Sequence, residues 1–441
     1  MGSVELELRM KDVSLLSISV SQGPLGDEEA RVVDVAEGKA HLMPWGLEPT
    51  GEGVLRWMAS RALPQNRRFA ETLCAAMGIS AGDVAGIYEV SMGLSLNDSY
   101  WTPPLGSDVK FADVNLFENG FSEVLSAVAY AGGWDRSSTL RGMTPELTTN
   151  GSLAKAWRVA PDGSRNLWKG ATPGWDPGEP LGELIAWKLA EAAGMSAVRY
   201  SLDEWDGALC SVCRDFCSTD KSYVPFGMAS PTRSMLSLVE VASSLGPTAL
   251  DAALDMLCLD ALICNDDRHF GNLGLVRDND SGAAVGMAPI FDCGRGLLPM
   301  VGDDDLGAWE GQVAIMRPAF GGGSFDQLAS HVIGERQHDR LGRVRGLDLA
   351  EAIAEDVPVS RRDALVARAR ALQPFLEARL HALLSMSPVD PRDLVSVAAR
   401  ERERLGRKGD AAYRYMPASS LAVPRRYLHG RARTGGSRFS L

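Results

Sequence analysis

The chain has 441 residues, a formal net charge of −12, 45% hydrophobic and 23% charged residues. These ordinary globular proportions suit two or three domain-sized units and exclude collagen-like, low-complexity and largely disordered chains. No apolar run approaches the roughly 18 residues of a membrane span, the first residues lack the charged and apolar regions of a secretory leader, and seven cysteines in such a chain point to reduced thiols; a cytoplasmic protein with no membrane partner is expected.

Residues 1–135 are expected to form an N-terminal α+β subdomain. Residues 4–20 are β-prone and predict strands. Phe69, Leu73 and Met77 recur at helical spacing, and Ser80-Ala81-Gly82-Asp83 predicts the start of another helix. A short apolar helix is expected over 121–130. Residues 136–225 predict a hairpin (157–160 and 166–169 around a Pro-Asp-Gly-Ser turn), a helix over 181–193 stopped by Gly194, and strands over 197–202 and 208–214. Cys210, Cys213 and Cys217 fall in and after the last strand. They lack a fourth ligand of suitable spacing, so no zinc site is expected.

Residues 226–385 read as mainly helical. Leu250, Leu254, Leu257 and Ala261 mark a helix over 248–262, and further helices are expected over 349–384. Between them, residues 294–325 predict a long loop rich in Gly and Asp. Residues 386–441 show little periodicity and are expected to be a basic tail. Residues 391–441 carry a net charge of +8 and the remainder −20. Such a tail offers a surface to nucleic acid, to an acidic partner or to the body itself, and equally suits a solvated segment.

The helix over 248–262 delivers Asn265-Asp266-Asp267-Arg268-His269-Phe270-Gly271-Asn272, and a predicted hairpin (273–276 and 284–291) then ends on Asp292. Asp267, an Asn five residues on and an Asp twenty beyond it have the order that phosphoryl transfer from ATP requires. One carboxylate orients the incoming hydroxyl; an amide and a second carboxylate hold Mg²⁺ on the phosphates. The chain has neither a G-x-x-x-x-G-K-[ST] loop nor a G-x-G-x-x-G, which argues against a P-loop NTPase.

The D-x-H-x-x-N order resembles the HipA-like serine/threonine kinases, bacterial toxin-type kinases with a fold related to protein and phosphatidylinositol kinases. The likeness covers about residues 140–300. It implies a bilobal α+β protein-kinase-like fold, with a β-rich N-lobe (136–225), a helical C-lobe (226–385) and an added N-terminal subdomain. By position, Asp267 would be the catalytic base, with His269 supporting the loop or transition state, and Asn272 and Asp292 would bind Mg²⁺. Asp292-Cys293-Gly294 stands where many kinases have D-F-G. Lys169 matches the ATP lysine and Glu183 its helical partner. Residues 148–155 stand where the family carries S-x-x-G-x-x-P-K: Gly151 and Lys155 match, Thr148 replaces the Ser and Ala154 the Pro. Gly151, Ser152 and Lys155 are therefore expected at the phosphates, and Thr148 at the self-phosphorylation position, with Thr149 and Ser152 as alternatives. The resemblance implies ATP–Mg²⁺-dependent transfer to Ser/Thr of a protein and a small DNA-binding antitoxin as partner. A small-molecule or lipid kinase of the same fold, or a degenerate nucleotide- or DNA-binding regulator, are the alternative readings. Retention of Lys169, Glu183, Asp267, Asn272 and Asp292 counts against degeneracy.

Overall fold

A computed structural model describes residues 3–22, 28–135, 138–230, 232, 234–319 and 323–407. The basic tail beyond 407, with the nucleic-acid surface expected on it, lies outside the described residues, as do Gly321 and Gly322 of the Gly-rich run.

Alternation sets the first sheet. Leu6, Leu8 and Met10 of β1 (Val4–Met10) and Leu16, Ile18 and Val20 of β2 (Val13–Gln22) point to one buried face. β3 (Glu28–Val35) and β4 (Tyr100–Trp101) complete an antiparallel sheet of order β3-β2-β1-β4. The apolar faces of helices Gly51–Arg61, Ala70–Ala76, Val84–Ser91 and Glu123–Ala131 share a core with it. Asp83 caps the third of these by accepting from Gly86 N–H, as its sequence position implies.

The second sheet comprises β5 (Lys155–Val159), β6 (Arg165–Lys169), β7 (Tyr200–Trp205) and β8 (Ala208–Arg214), antiparallel, in the order β5-β6-β8-β7. Helix Gly178–Ala193 joins β6 to β7 and ends on Gly194 at φ +73°, the left-handed cap that glycine favours. The third sheet, β9 (Lys221–Pro225), β10 (Gly274–Asp278) and β11 (Ala284–Met287), has the order β11-β10-β9. β10 and β9 approach closely because residue 274 is glycine: a Cβ there would lie 2.1 Å from the Val224 carbonyl oxygen. The N-terminal subdomain is tied to this sheet. Lys11 pairs with Asp220 and Asp280, and the buried Arg277 guanidinium donates to the Gly282 and His41 carbonyls and to the Tyr100 hydroxyl.

Helices Met235–Ser244, Pro247–Ile263, Phe325–Val332, Glu335–Gly342 and Arg362–Leu384 surround one large core that also takes in helix Gly178–Ala193 and β7. The architecture is thus α+β, as expected. Two expectations are corrected. The segment after Gly294 is not a continuous loop: it holds a 3₁₀ turn over Asp303–Ala308 and helix Trp309–Ile315, seated where Trp309 stacks edge-on against Phe375. The start of the supposed tail is helix Pro391–Arg407, whose Leu394, Val395 and Ala398 meet the core while Arg402 pairs with Glu240. Arginine-rich surroundings obscured that short apolar stripe.

Candidate active site

Helix Pro247–Ile263 begins with proline at its first turn, where the missing N–H costs nothing, and is apolar almost all round. Its two buried acids are therefore exceptions that need partners. Asp255 pairs with Arg340. Asp260, one turn before the helix stops at Cys264, accepts from Asn265 Nδ2 at 2.8 Å and takes the Arg268 guanidinium in a two-pronged pair, both contacts at 2.9 Å. Arg268 reaches further. Its Nη1 donates to the Asn272 carbonyl at 2.8 Å and to the Phe291 carbonyl, and its Nη2 to Cys293 Sγ at 3.0 Å. One buried cation thus joins the helix end, the Asn272 backbone and the segment on both sides of Asp292. The sequence reading missed this role. Its signal was an Asp near the end of an apolar helix, eight residues before an Arg.

Lys169 ends β6, and its Nζ donates to Glu183 Oε1 at 2.9 Å and to Asp292 Oδ1. Glu183 sits on the buried face of helix Gly178–Ala193, and its other oxygen accepts from the Cys293 N–H at 2.6 Å. Asp292 is held at φ +56°, with its N–H donating to the Tyr200 hydroxyl at 3.2 Å. Burial alone would lower the Lys169 pKa, but Asp292 and Glu183 outweigh it and hold the amine well above the ordinary lysine value. For Asp292, burial pushes upward and the Lys169 and Lys155 ammonium groups prevail, keeping it below the usual carboxylate range.

Lys155 stands directly across the β5–β6 pair from Lys169. It is buried, and its Nζ donates to the Asn150 carbonyl at 2.9 Å. Burial first, then the facing Lys169 charge, pushes its pKa down to about 7. Gly151, at φ +98°, lets the turn fold over this amine: a Cβ there would lie 2.1 Å from Lys155 Nζ.

Asp267 and His269 are exposed. Desolvation at the wall of the site raises the Asp267 pKa, partly offset by His269. His269 Nδ1 accepts from the Gly271 N–H at 3.0 Å, which leaves Nε2 as the protonated nitrogen of the neutral ring. Neighbouring Asp266 is engaged elsewhere, by Arg295, whose guanidinium also lies 4.4 Å over the Trp175 ring.

A cavity of about 700 Å³ gathers these groups: Gly151, Ser152, Lys155, Lys169, Asp267, His269, Asn272 and Asp292 all line it. Glu183 stands behind Lys169, out of solvent. Thr148 is the exception and does not line it. Its hydroxyl is buried and donates to the Leu94 and Pro145 carbonyls, because residues Glu146–Thr148 form a 3₁₀ turn against the N-terminal subdomain. Thr149 is buried too, accepting from Trp157 Nε1 at 3.0 Å. Ser152 carries the exposed hydroxyl of this loop. Among the described residues, no three His, Cys, Asp or Glu side chains converge as a metal cage. Asn272 and Asp292 offer oxygen donors at one cavity, a set that fits Mg²⁺, which keeps waters and substrate phosphates in its shell.

No family model matches the chain. It is 27% identical over 135 residues to the serine/threonine-protein kinase CtkA of Helicobacter pylori (strain J99), a match covering 27% of this chain and 41% of that protein. The chain therefore spans about two fifths of the curated relative's length. Among solved structures, HipA of Shewanella oneidensis MR-1, in complex with HipB and operator DNA, superposes with a TM-score of 0.51 over 89% of this chain and 99% of its own, at 14% identity. This is the HipA-like kinase fold. The Helicobacter pylori proinflammatory kinase CtkA superposes with a TM-score of 0.41 and 18% identity over 57% of this chain and 94% of its own. Among the described residues, no helix is long and apolar enough to cross a membrane.

Proposed function

We propose that this chain is an ATP–Mg²⁺-dependent kinase that transfers the γ-phosphoryl group to a Ser or Thr hydroxyl of a protein. The observation that carries the proposal is the Lys169 ammonium bridging Glu183 and Asp292 at a cavity that Asp267 and Asn272 also line. In this reading Lys169 and Lys155 hold phosphate oxygens, with Gly151 and Ser152 presenting backbone N–H groups beside them. Asn272 and Asp292 would hold Mg²⁺, which would supply charge neutralisation for phosphoryl transfer. Asp267 accepts the proton of the attacking hydroxyl, and His269 braces the loop through Gly271. Arg268 keeps the Asn272 and Asp292 segments in register, so that catalysis comes from positioning and fixed charge.

Residues 1–135 would serve as the added subdomain, 136–225 as the N-lobe and 226–385 as the C-lobe. The named activity of CtkA supports protein Ser/Thr as acceptor. The HipA–HipB–DNA assembly supports a small DNA-binding antitoxin as partner, and with it a toxin-type role in the cytoplasm. Radiolabelled ATP with Mg²⁺ and a bacterial lysate tests the reading. Label on phosphoserine or phosphothreonine of protein, absent with Asp267→Asn, is expected; label only in the small-molecule fraction would reassign the acceptor.

A further inference from the structure

The cavity has a wall that the chemistry above does not use. Trp45, Trp57, Arg61, Asn97, Asp98 and Tyr100 of the N-terminal subdomain line it together with His269 and Gly271 of the catalytic segment. Two tethers press this wall against that segment. Tyr223 of β9 donates its N–H to the Asn97 carbonyl and its hydroxyl to the Gly271 carbonyl, both at 2.7 Å, so a single tyrosine spans the gap. The Gly227 N–H donates to the Phe270 carbonyl at 3.2 Å, and the adjoining Met228 packs so closely on Gly46 that a Cβ there would lie 2.8 Å from its Sδ. Asn150 of the 148–155 loop reaches the same subdomain, donating to the Ser60 carbonyl at 3.4 Å. The wall therefore stands between the phosphate loop and the catalytic segment, where an acceptor hydroxyl must enter to meet Asp267.

Two donors on this wall are unmet. Trp45 is 7% exposed and its Nε1 has no hydrogen-bond partner; Arg61 Nε is shielded and has none either. The rest of the Arg61 guanidinium is committed. It pairs with Asp98, donates to the Gly93 carbonyl at 2.9 Å and lies 4.7 Å over the Trp57 ring. Buried N–H groups without acceptors are costly unless a ligand supplies them. Charge points the same way. The Arg61 and Arg277 guanidiniums, the second 5.6 Å from the Tyr100 ring, both line the cavity here against the Asp98 carboxylate, which leaves positive charge in excess. Away from bulk water such an excess favours an anion.

We propose that this wall is the acceptor-side subsite, and that it takes an Asp or Glu side chain flanking the phosphorylated Ser or Thr of the protein substrate, the carboxylate accepting from Trp45 Nε1 and Arg61 Nε. The inference rests on the protein-kinase reading above. An ionised carboxylate has two oxygens that only accept hydrogen bonds, which matches two unmet N–H groups; the amide of Asn or Gln offers one accepting oxygen and no charge. The N-terminal subdomain is then part of the substrate site.

The test is phosphosite mapping in a dephosphorylated bacterial lysate incubated with ATP, Mg²⁺ and the full chain. Trp45→Phe keeps a ring and removes the N–H; Arg61→Lys keeps the charge and removes Nε. Sites gained over an Asp267→Asn control are aligned on the phosphorylated residue, and flanking residues are counted relative to those around unmodified Ser and Thr. For wild type, Asp and Glu are expected over Asn and Gln at one flanking position by at least about tenfold, the worth of one hydrogen bond to a charged group. Trp45→Phe and Arg61→Lys should flatten that preference. Wild-type sites without an acidic preference would overturn the assignment, whether or not either variant folds, and an undiminished preference in a folded Trp45→Phe would do so too. Either result leaves the kinase reading standing; wild type that phosphorylates no protein sinks both together.

Discussion

Replacing Arg268 with methionine tests how the catalytic segment is held. The guanidinium is 1% exposed and pairs with the Asp260 carboxylate, itself 2% exposed. Methionine fills much of the volume but leaves Asp260 buried without its cation, and the Asn272 and Phe291 carbonyls without their donor. Breaking a buried pair from one side costs about 3–5 kcal/mol, which in a protein of this size corresponds to a fall in Tm of roughly 3–5 °C. Adding Asp260→Leu removes the stranded charge, so the double variant should recover at least about 2 kcal/mol. Phosphoryl transfer should remain lost in both, because neither ties Asn272 to the Asp292 segment. Urea unfolding of the four proteins in the cycle, with transfer measured on each, separates the two effects. A single-variant loss under about 1 kcal/mol, or a double variant that regains activity with stability, would refute the reasoning.

Three further outcomes follow from the site. Lys155 titrates at about 7 in the fold against 10.5 in the free amine, so between those pH values the unfolded chain holds the extra proton and this group adds stability as pH rises. Phosphate bound beside it should restore the proton: at pH 8, ATP binding should take up close to one proton, seen as a buffer-dependent calorimetric enthalpy, and Lys155→Met should abolish the uptake. Lys169→Met, which leaves Glu183 and Asp292 facing each other without a cation, should lower the transfer rate by at least about a hundredfold, measured in single-turnover assays; a rate near wild type would remove Lys169 from the phosphate site. If the protein modifies its own 148–155 loop, site mapping should find the phosphate on exposed Ser152 rather than on Thr148, whose hydroxyl is buried against Leu94; Thr148 as first site would show that the loop opens before transfer.

What the sequence revealed was local. Asp267, Asn272 and Asp292 were legible because their spacing is a chemical constraint, and the β5–β6 hairpin and helix Gly178–Ala193 because turn residues and apolar periodicity mark them. Their meeting in one cavity was a tertiary fact. Arg268 was read as part of a motif string, although its hydrogen bonds run to Asp260 and Cys293, which no sequence period links. Thr148 was chosen by alignment of a loop, and the burial that closes its hydroxyl depends on Leu94, 54 positions away. Helix Pro391–Arg407 escaped because its core-facing Leu394, Val395 and Ala398 stand among arginines and glutamates.

The most direct measurement is the intact mass of the purified protein and of an added serine/threonine protein substrate after incubation with ATP and Mg²⁺, beside Asp267→Asn and a sample with excess chelator. The account expects whole phosphate increments on protein in the wild-type sample alone. ATP bound at Lys169 with no phosphate transferred to any protein, or equal transfer by Asp267→Asn, would contradict it.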